Sequence, residues 1–287
     1  MNPISTLARL YFSHFPVEKG KWRLWERFRD TKYYHMFPPA SHRTRYGFWM
    51  NIEPSQQIDR FIYYWGCWEP NETRLIRKLL RPKDVFVDVG ANDGYFSLLA
   101  SKLVGRLGQV VALEPFPTTA IELRANVALN RFRNIAVIER AASDNSDDLV
   151  LTMPHEVGTG MTTLRPVDGT SWCVKCDRLD NLLADLPAPR FVKIDVEGAE
   201  LRVLRGMEKL LQRDSGPYVL CEVTASYLKQ VGDSAGELYA LMDHFGYRAY
   251  LVKGHELQVL RKGALRENDQ DSVLFTKRDQ PGIRDKA

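Results

Sequence analysis

The stretch Val85–Ser97, VFVDVGANDGYFS, narrows the possible folds more than any other part of the chain. An apolar, β-rich run leads to Asp88, a tight turn follows between Gly90 and Gly94, and an apolar helix begins near Tyr95. Strand, glycine turn and helix in this order form a nucleotide-type loop. Glycines permit a ligand to approach the backbone, and the first N–H groups of a helix have no partners within it.

The ligand is read from what the loop lacks. A dinucleotide loop needs three glycines at fixed spacing to receive a pyrophosphate. Here Ala91 and Asn92 follow Gly90, and only Gly94 completes the turn. Asp88 and Asp93 flank it and repel a pyrophosphate. They suit a cationic ligand that carries an amino group. S-adenosylmethionine meets that description, with an ammonium, a sulfonium and no phosphate.

Beyond the loop, strands and helices alternate, which predicts a mostly parallel sheet covered on both faces. Gln109–Leu113 reads as the second strand, and Glu114 at its end is placed to accept hydrogen bonds from ribose hydroxyls. A helix is expected from about Thr118 to Asn130, then a strand over 134–138. The small residues of Arg140-Ala141-Ala142 leave room for a flat ring. Leu149–Met153 and Trp172–Cys176 read as two additional strands around a Gly-rich excursion that contains His155, a candidate proton acceptor. In RFVKIDVEGAELRVL, Phe191–Ile194 is a buried strand and a helix starts near Ala199. Asp195 and Glu197 sit between them, on the edge where open α/β sheets bind ligands. Tyr218–Val223 is a further strand with Glu222 near its end. Ser234 and Glu237 match a capping box. Tyr247–Val252 and Ser272–Thr276 close the sheet, and the last ten residues are polar.

Charge divides the chain. Residues 1–84 carry 15 Lys/Arg and 8 Asp/Glu, whereas the remainder carries 25 and 28. The basic front is rich in rings, with Trp22, Trp25, Phe28, Tyr33, Tyr34, Phe61, Tyr63, Tyr64, Trp65 and Trp68 among them. Residues 19–34 suggest an amphipathic helix, and another begins after Pro70. The rings either pack over the body or line an acceptor site in which Arg43 or Arg45 pairs with an anion. Interleaved basic and aromatic residues also suit single-stranded nucleic acid. No apolar run reaches the roughly 18 residues of a membrane span. The start of the chain lacks the features of a signal peptide, so a cytoplasmic setting is expected. Cys173 and Cys176 supply only half of a tetrahedral zinc site and are expected to be reduced thiols, like Cys67 and Cys221.

Taken together, these residues resemble the FkbM-type family of S-adenosylmethionine-dependent methyltransferases. The resemblance runs from about Gly47 to Phe275. It is carried by GCWEPNE (66–72), VFVDVGANDGYFS (85–97), LEP (113–115), RANVALN (124–130), RAAS (140–143), LDNLL (179–183), FVKIDVEGAELRVLRG (191–206) and CEV (221–223). It implies a Rossmann-like class I fold: an α/β body over 85–277 whose seven-stranded, mostly parallel sheet has its last strand antiparallel. Helices cover both faces, and an aromatic-rich extension precedes the body at 1–84. It also implies O-methylation of a hydroxyl on a sugar or polyketide. By position, Asp88, Gly90, Asn92, Asp93 and Gly94 would surround the methionine end of the donor. Glu114 would hold the ribose, and Asn130, Ala141 and Ala142 would lie near the adenine. Asp195 and Glu197 would stand at the chemistry. DVEG (195–198) replaces the Pro-Pro-aromatic run common in nucleobase N-methyltransferases, which counts against base methylation.

For the proton of an alcohol acceptor, Asp195 is the first candidate base, followed by Glu222, Glu197 and His155. Asp195 and Glu222 end neighbouring strands, so a rival arrangement has them hold Mg²⁺. The acceptor expected is a sugar, glycan or small molecule, and the basic front hints at an anionic or lipid-linked one. Two other classes stay open: a nicotinamide oxidoreductase, disfavoured by the missing glycine, and a non-catalytic glycan- or protein-binding member of the fold.

Overall fold

The computed structural model describes residues 3–14, 20–154, 164, 168–254, 256–260 and 270–278. Its centre is a large sheet whose strands we number in chain order: β1 Val85–Val89, β2 Gln109–Leu113, β3 Ile135–Ile138, β4 Phe191–Ile194, β5 Tyr218–Thr224, β6 Arg248–Lys253, β7 Glu256–Val259 and β8 Gln270–Thr276. The spatial order is β7-β6-β8-β5-β4-β1-β2-β3. The five strands from β5 to β3 are parallel, and β8 runs antiparallel to both β5 and β6. The expected sheet is therefore present with one strand more. After β6 the chain turns straight back as β7, an antiparallel hairpin partner that covers the edge of β6.

Helices and loops bury the sheet on both faces, so the parallel strands are apolar nearly throughout and β1 is buried at every position. Side chains still alternate between faces. Val87, Val192 and Val219 join Leu201, Leu204, Leu238 and Met242 in one apolar cluster. Phe86, Phe191 and Leu220 face the other way, into a cluster that continues through Phe96 and Tyr95 to Phe12, Trp25, Tyr63 and Tyr64. The front segment thus forms the layer that covers this second face.

Within that layer the expected helix over 19–34 is broken. It runs Lys21–Arg29, and a short 3₁₀ turn follows at Lys32–His35. Thr31 is extended and its hydroxyl donates to the Phe28 carbonyl, competing with the helix for that acceptor. The break lets Tyr34 pack edge-on against Trp25, at 5.3 Å between centroids. Phe37 stacks on Tyr63 at 3.9 Å. Most rings are buried or half-buried packing, although Trp22 and Trp49 are exposed.

The excursion after β3 is a separate hairpin, Leu149–Pro154 with Gly169–Val174. The expected Trp172–Cys176 strand is split at Lys175, because Cys176–Arg178 pairs instead with Ala141–Ser143. Cys173 is exposed and Cys176 buried, and all four cysteines are free thiols. Among the described residues, no helix is long and apolar enough to cross a membrane.

Candidate active site

The glycine turn forms as its sequence requires, but the glycines meet protein rather than open space. Gly90 has φ 80°, and a Cβ there would lie 1.9 Å from the Asp195 carbonyl oxygen. Gly94 has φ 96°, and its Cβ would lie 2.3 Å from Leu123 Cδ1. Both positions need glycine so that the loop can nest between the end of β4 and the Pro117–Asn130 helix. The loop amides are also occupied. Gly90 N and Ala91 N both donate to Leu113 O, at 3.0 and 2.9 Å, and Gly94 N donates to Ala91 O. Tyr95 N reaches Asp93 Oδ1 at 3.3 Å. The expected row of outward-pointing N–H groups is therefore largely absent, and side chains must supply the site's polarity.

A cavity of about 280 Å³ opens at the carboxyl ends of β1, β2, β4 and β5. On one side Glu114 accepts from Asn92 N at 2.9 Å and Phe116 N at 3.0 Å, which fixes both carboxylate oxygens and leaves each a further lone pair. Burial pushes its carboxyl up to about 7, against those two hydrogen bonds. Arg140, Ala141 and Ala142 continue the wall, and Leu149, Leu151 and Leu164 supply an apolar cover.

The other side is anionic. Alternation along the strands turns Asp88, Lys193 and Glu222 toward the face that the front segment covers, and Lys193 stands beside Asp88 in register. Lys193 is 4% exposed, and its Nζ lies 2.7 Å from Asp195 Oδ2 and 4.7 Å from the centroid of Phe96. Burial alone would lower its pKa; the carboxylates of Asp195, Glu69, Asp88 and Glu222 outweigh it and hold the ammonium charged. Asp88, expected beside the donor, is buried and does not line the cavity; it accepts from Ser97 Oγ at 2.7 Å. Burial raises it to about 6 despite Lys193. Single carboxylate oxygens of Glu69, Asp195 and Glu222 lie within 4.8 Å of one another. Burial, and then the neighbouring Asp195, push the Glu222 carboxyl up strongly. Lys193 pairs with Asp195, and its positive charge also acts on Glu69 and Glu222.

The remaining candidates separate. Gly90, Asn92, Asp93, Glu114, Ala141, Ala142, Asp195, Glu197 and Glu222 line the cavity. Glu197 does so from a left-handed turn, with φ 52°. Asp93 turns its carboxyl toward Asp59 on the Gln57–Trp65 helix. Asn130, expected near the adenine, does not line the cavity. Its Oδ1 accepts from Trp49 N at 2.7 Å and its Nδ2 donates to Trp49 O at 2.7 Å, binding the front hairpin to the body. Neither Arg43 nor Arg45 lines the cavity, and Arg45 donates to Ser13 O at 2.7 Å. His155 lies outside the described residues. Two residues of the site went unread as such, Glu69 and Lys193. Lysine in an otherwise apolar buried strand was the available signal for the second.

A family model described as the methyltransferase FkbM domain matches residues 88–249. The chain is 31% identical over 159 residues to the hexuronic acid methyltransferase AglP of Haloferax volcanii, covering 55% of this chain and 63% of that protein. It thus spans less than two thirds of AglP. It is 29% identical over 201 residues to the 31-O-demethyl-FK506 methyltransferase FkbM of Streptomyces tacrolimicus, covering 58% and 74%. A solved SAM-dependent O-methyltransferase from Thermotoga maritima aligns with TM-score 0.42 at 14% identity, covering 85% of this chain and 79% of that one. The family match takes in more than half of the chain and contains the ends of β1, β2, β4 and β5 that carry the cavity, and the chain belongs to the FkbM methyltransferase family.

Proposed function

We propose that this FkbM methyltransferase transfers a methyl group from S-adenosylmethionine to a hydroxyl of a sugar, glycan or related small molecule. The observation that carries this is the cavity's charge. Among its described lining residues, Glu69, Glu114, Asp195, Glu197 and Glu222 bring carboxyl groups, against Lys193 and Arg140 as the only cations. Such a lining favours a cationic sulfonium over a phosphate-bearing cofactor. Glu114 is oriented to hold ribose hydroxyls, and Ala141, Ala142, Leu149 and Leu151 offer an apolar slot for the adenine. Asp195, at the end of β4, faces the reacting end.

When bound, the donor supplies a methyl carbon already activated by its positive sulfur. The protein then contributes alignment, worth about 7–11 kcal/mol in favourable cases. It also contributes a proton acceptor for the hydroxyl, worth about 10²–10⁴-fold. A carboxylate at the ends of β4 and β5 takes that proton. The names of AglP, a hexuronic acid methyltransferase, and FkbM, a 31-O-demethyl-FK506 methyltransferase, support a sugar or other small molecule as the acceptor class. With Lys193 supplying the local positive charge, turnover should survive a metal chelator.

The test is transfer of an isotopically labelled methyl group from S-adenosylmethionine into an extract of the source cell. A labelled O-methyl ether on a sugar or small molecule is expected. Label confined to nucleic acid or protein, or no label at all, overturns the assignment.

A further inference from the structure

Glu69 is placed with unusual force. It has φ 39° and ψ 77°, a left-handed conformation that non-glycine residues rarely adopt. It precedes the Pro70–Leu79 helix at the capping position, yet its side chain makes no cap hydrogen bond. The carboxyl turns into the cavity instead, where Oε2 is buried and receives no donor. Strain and desolvation of this kind persist when the surroundings over-determine them, and they gather at active sites. The surroundings are Asp195, Glu222 and the Lys193 ammonium, with Glu72 and Glu197 adding charge at longer range.

Asp195 is committed to Lys193 at 2.7 Å. Glu69 and Glu222 are not so committed. Single carboxylate oxygens of the two lie within 4.8 Å of each other, close enough that two negative charges repel and a proton held by the pair relieves them.

We propose that Glu69 and Glu222 act as one carboxyl–carboxylate pair that receives the proton of the acceptor hydroxyl, so that the front segment supplies half of the base. The assignment rests on the methyl-transfer function proposed above. In the step, the acceptor O–H bond breaks and its proton goes to the pair. The new O–CH₃ bond forms as the C–S bond breaks, with its electron pair left on sulfur. The pair returns its proton to water once the neutral thioether leaves. Burial raises both carboxyls, which strengthens the pair's hold on a proton it receives.

A cationic sulfur beside this pair should expel a proton from it, and a neutral one should not. Calorimetric titration of S-adenosylmethionine and S-adenosylhomocysteine, each in two buffers of different ionisation enthalpy at neutral pH, counts the protons released. The wild type is expected to release more protons with the sulfonium than with the thioether. Glu69→Gln and Glu222→Gln should each abolish the difference while still binding both ligands. In the labelled transfer assay, Glu69→Gln should lose on the order of 10²–10⁴-fold in rate. Glu69→Asp should recover part of that loss. Equal proton release for the two ligands in the wild type, or a difference that persists in Glu69→Gln, overturns the pair. So does undiminished transfer by Glu69→Gln. If proton release behaves as expected but no hydroxyl is labelled, the pair stands and the proposed acceptor class falls.

Discussion

Gly90 shows how a residue can be read correctly as indispensable and for an incomplete reason. Its positive φ was legible, but the crowding is with Asp195 rather than with a ligand. Gly90→Ala should therefore destabilise the protein even without donor. Left-handed strain and overpacking together amount to roughly 2–6 kcal/mol, and the shift of the denaturant midpoint measures it. An unchanged midpoint would show that the β4 end moves aside. Asp195 and Lys193 are coupled in the same way. Asp195→Asn removes the carboxylate that holds the ammonium, which then turns to Glu69 and Glu222 and weakens them as bases. Turnover should fall by about 10²–10⁴-fold, judged by the scale of general-base effects, with donor affinity largely retained. Full activity in this variant would remove Asp195 from the chemistry.

At the scale of elements, the front hairpin of Ala40–Arg43 and Trp49–Ile52 is docked by two asparagines four residues apart on one helix. Asn126 Oδ1 accepts from Asn51 N at 2.9 Å, and Asn130 exchanges two hydrogen bonds with Trp49. Their amides stand in for the edge of a neighbouring strand. Asn130→Ala should cost about 1 kcal/mol, the usual net worth of such bonds, and leave donor affinity unchanged in calorimetry. A selective loss of donor binding would restore Asn130 to the adenine side. The local signals of this hairpin were faint because each strand has only four residues, and its partner asparagines lie some eighty positions away.

For the whole molecule, the burial of acids sets a pH dependence. Burial raises Asp88 to about 6 and Asp59, with Asp93 beside it, to about 8. A carboxyl raised on folding binds more protons in the native state than in the unfolded one. Its contribution to stability is full below the ordinary carboxylate range near about 4 and is lost as pH rises through the folded value. The unliganded protein should thus melt at lower temperature as pH climbs from about 5 to about 8, the interval set by these shifts. Asp59→Asn should flatten that slope. A melting temperature that rises across this interval would mean the acids are solvated or paired in the native state.

The order of strands and helices, the acids at the strand ends and the face on which Asp88, Lys193 and Glu222 lie were all determined by the sequence itself. Each follows from a local rule: a period of two, a glycine turn, a polar residue where an apolar run stops. What covers that face was not local. The added hairpin strand, the docking of the front layer and the arrival of Glu69 beside Glu222 depend on contacts between distant segments, whose free energy no short window of residues contains. Tertiary structure alone brought Glu69 to a buried lysine already near Asp88, Asp195 and Glu222, and so set the charge balance among these acids.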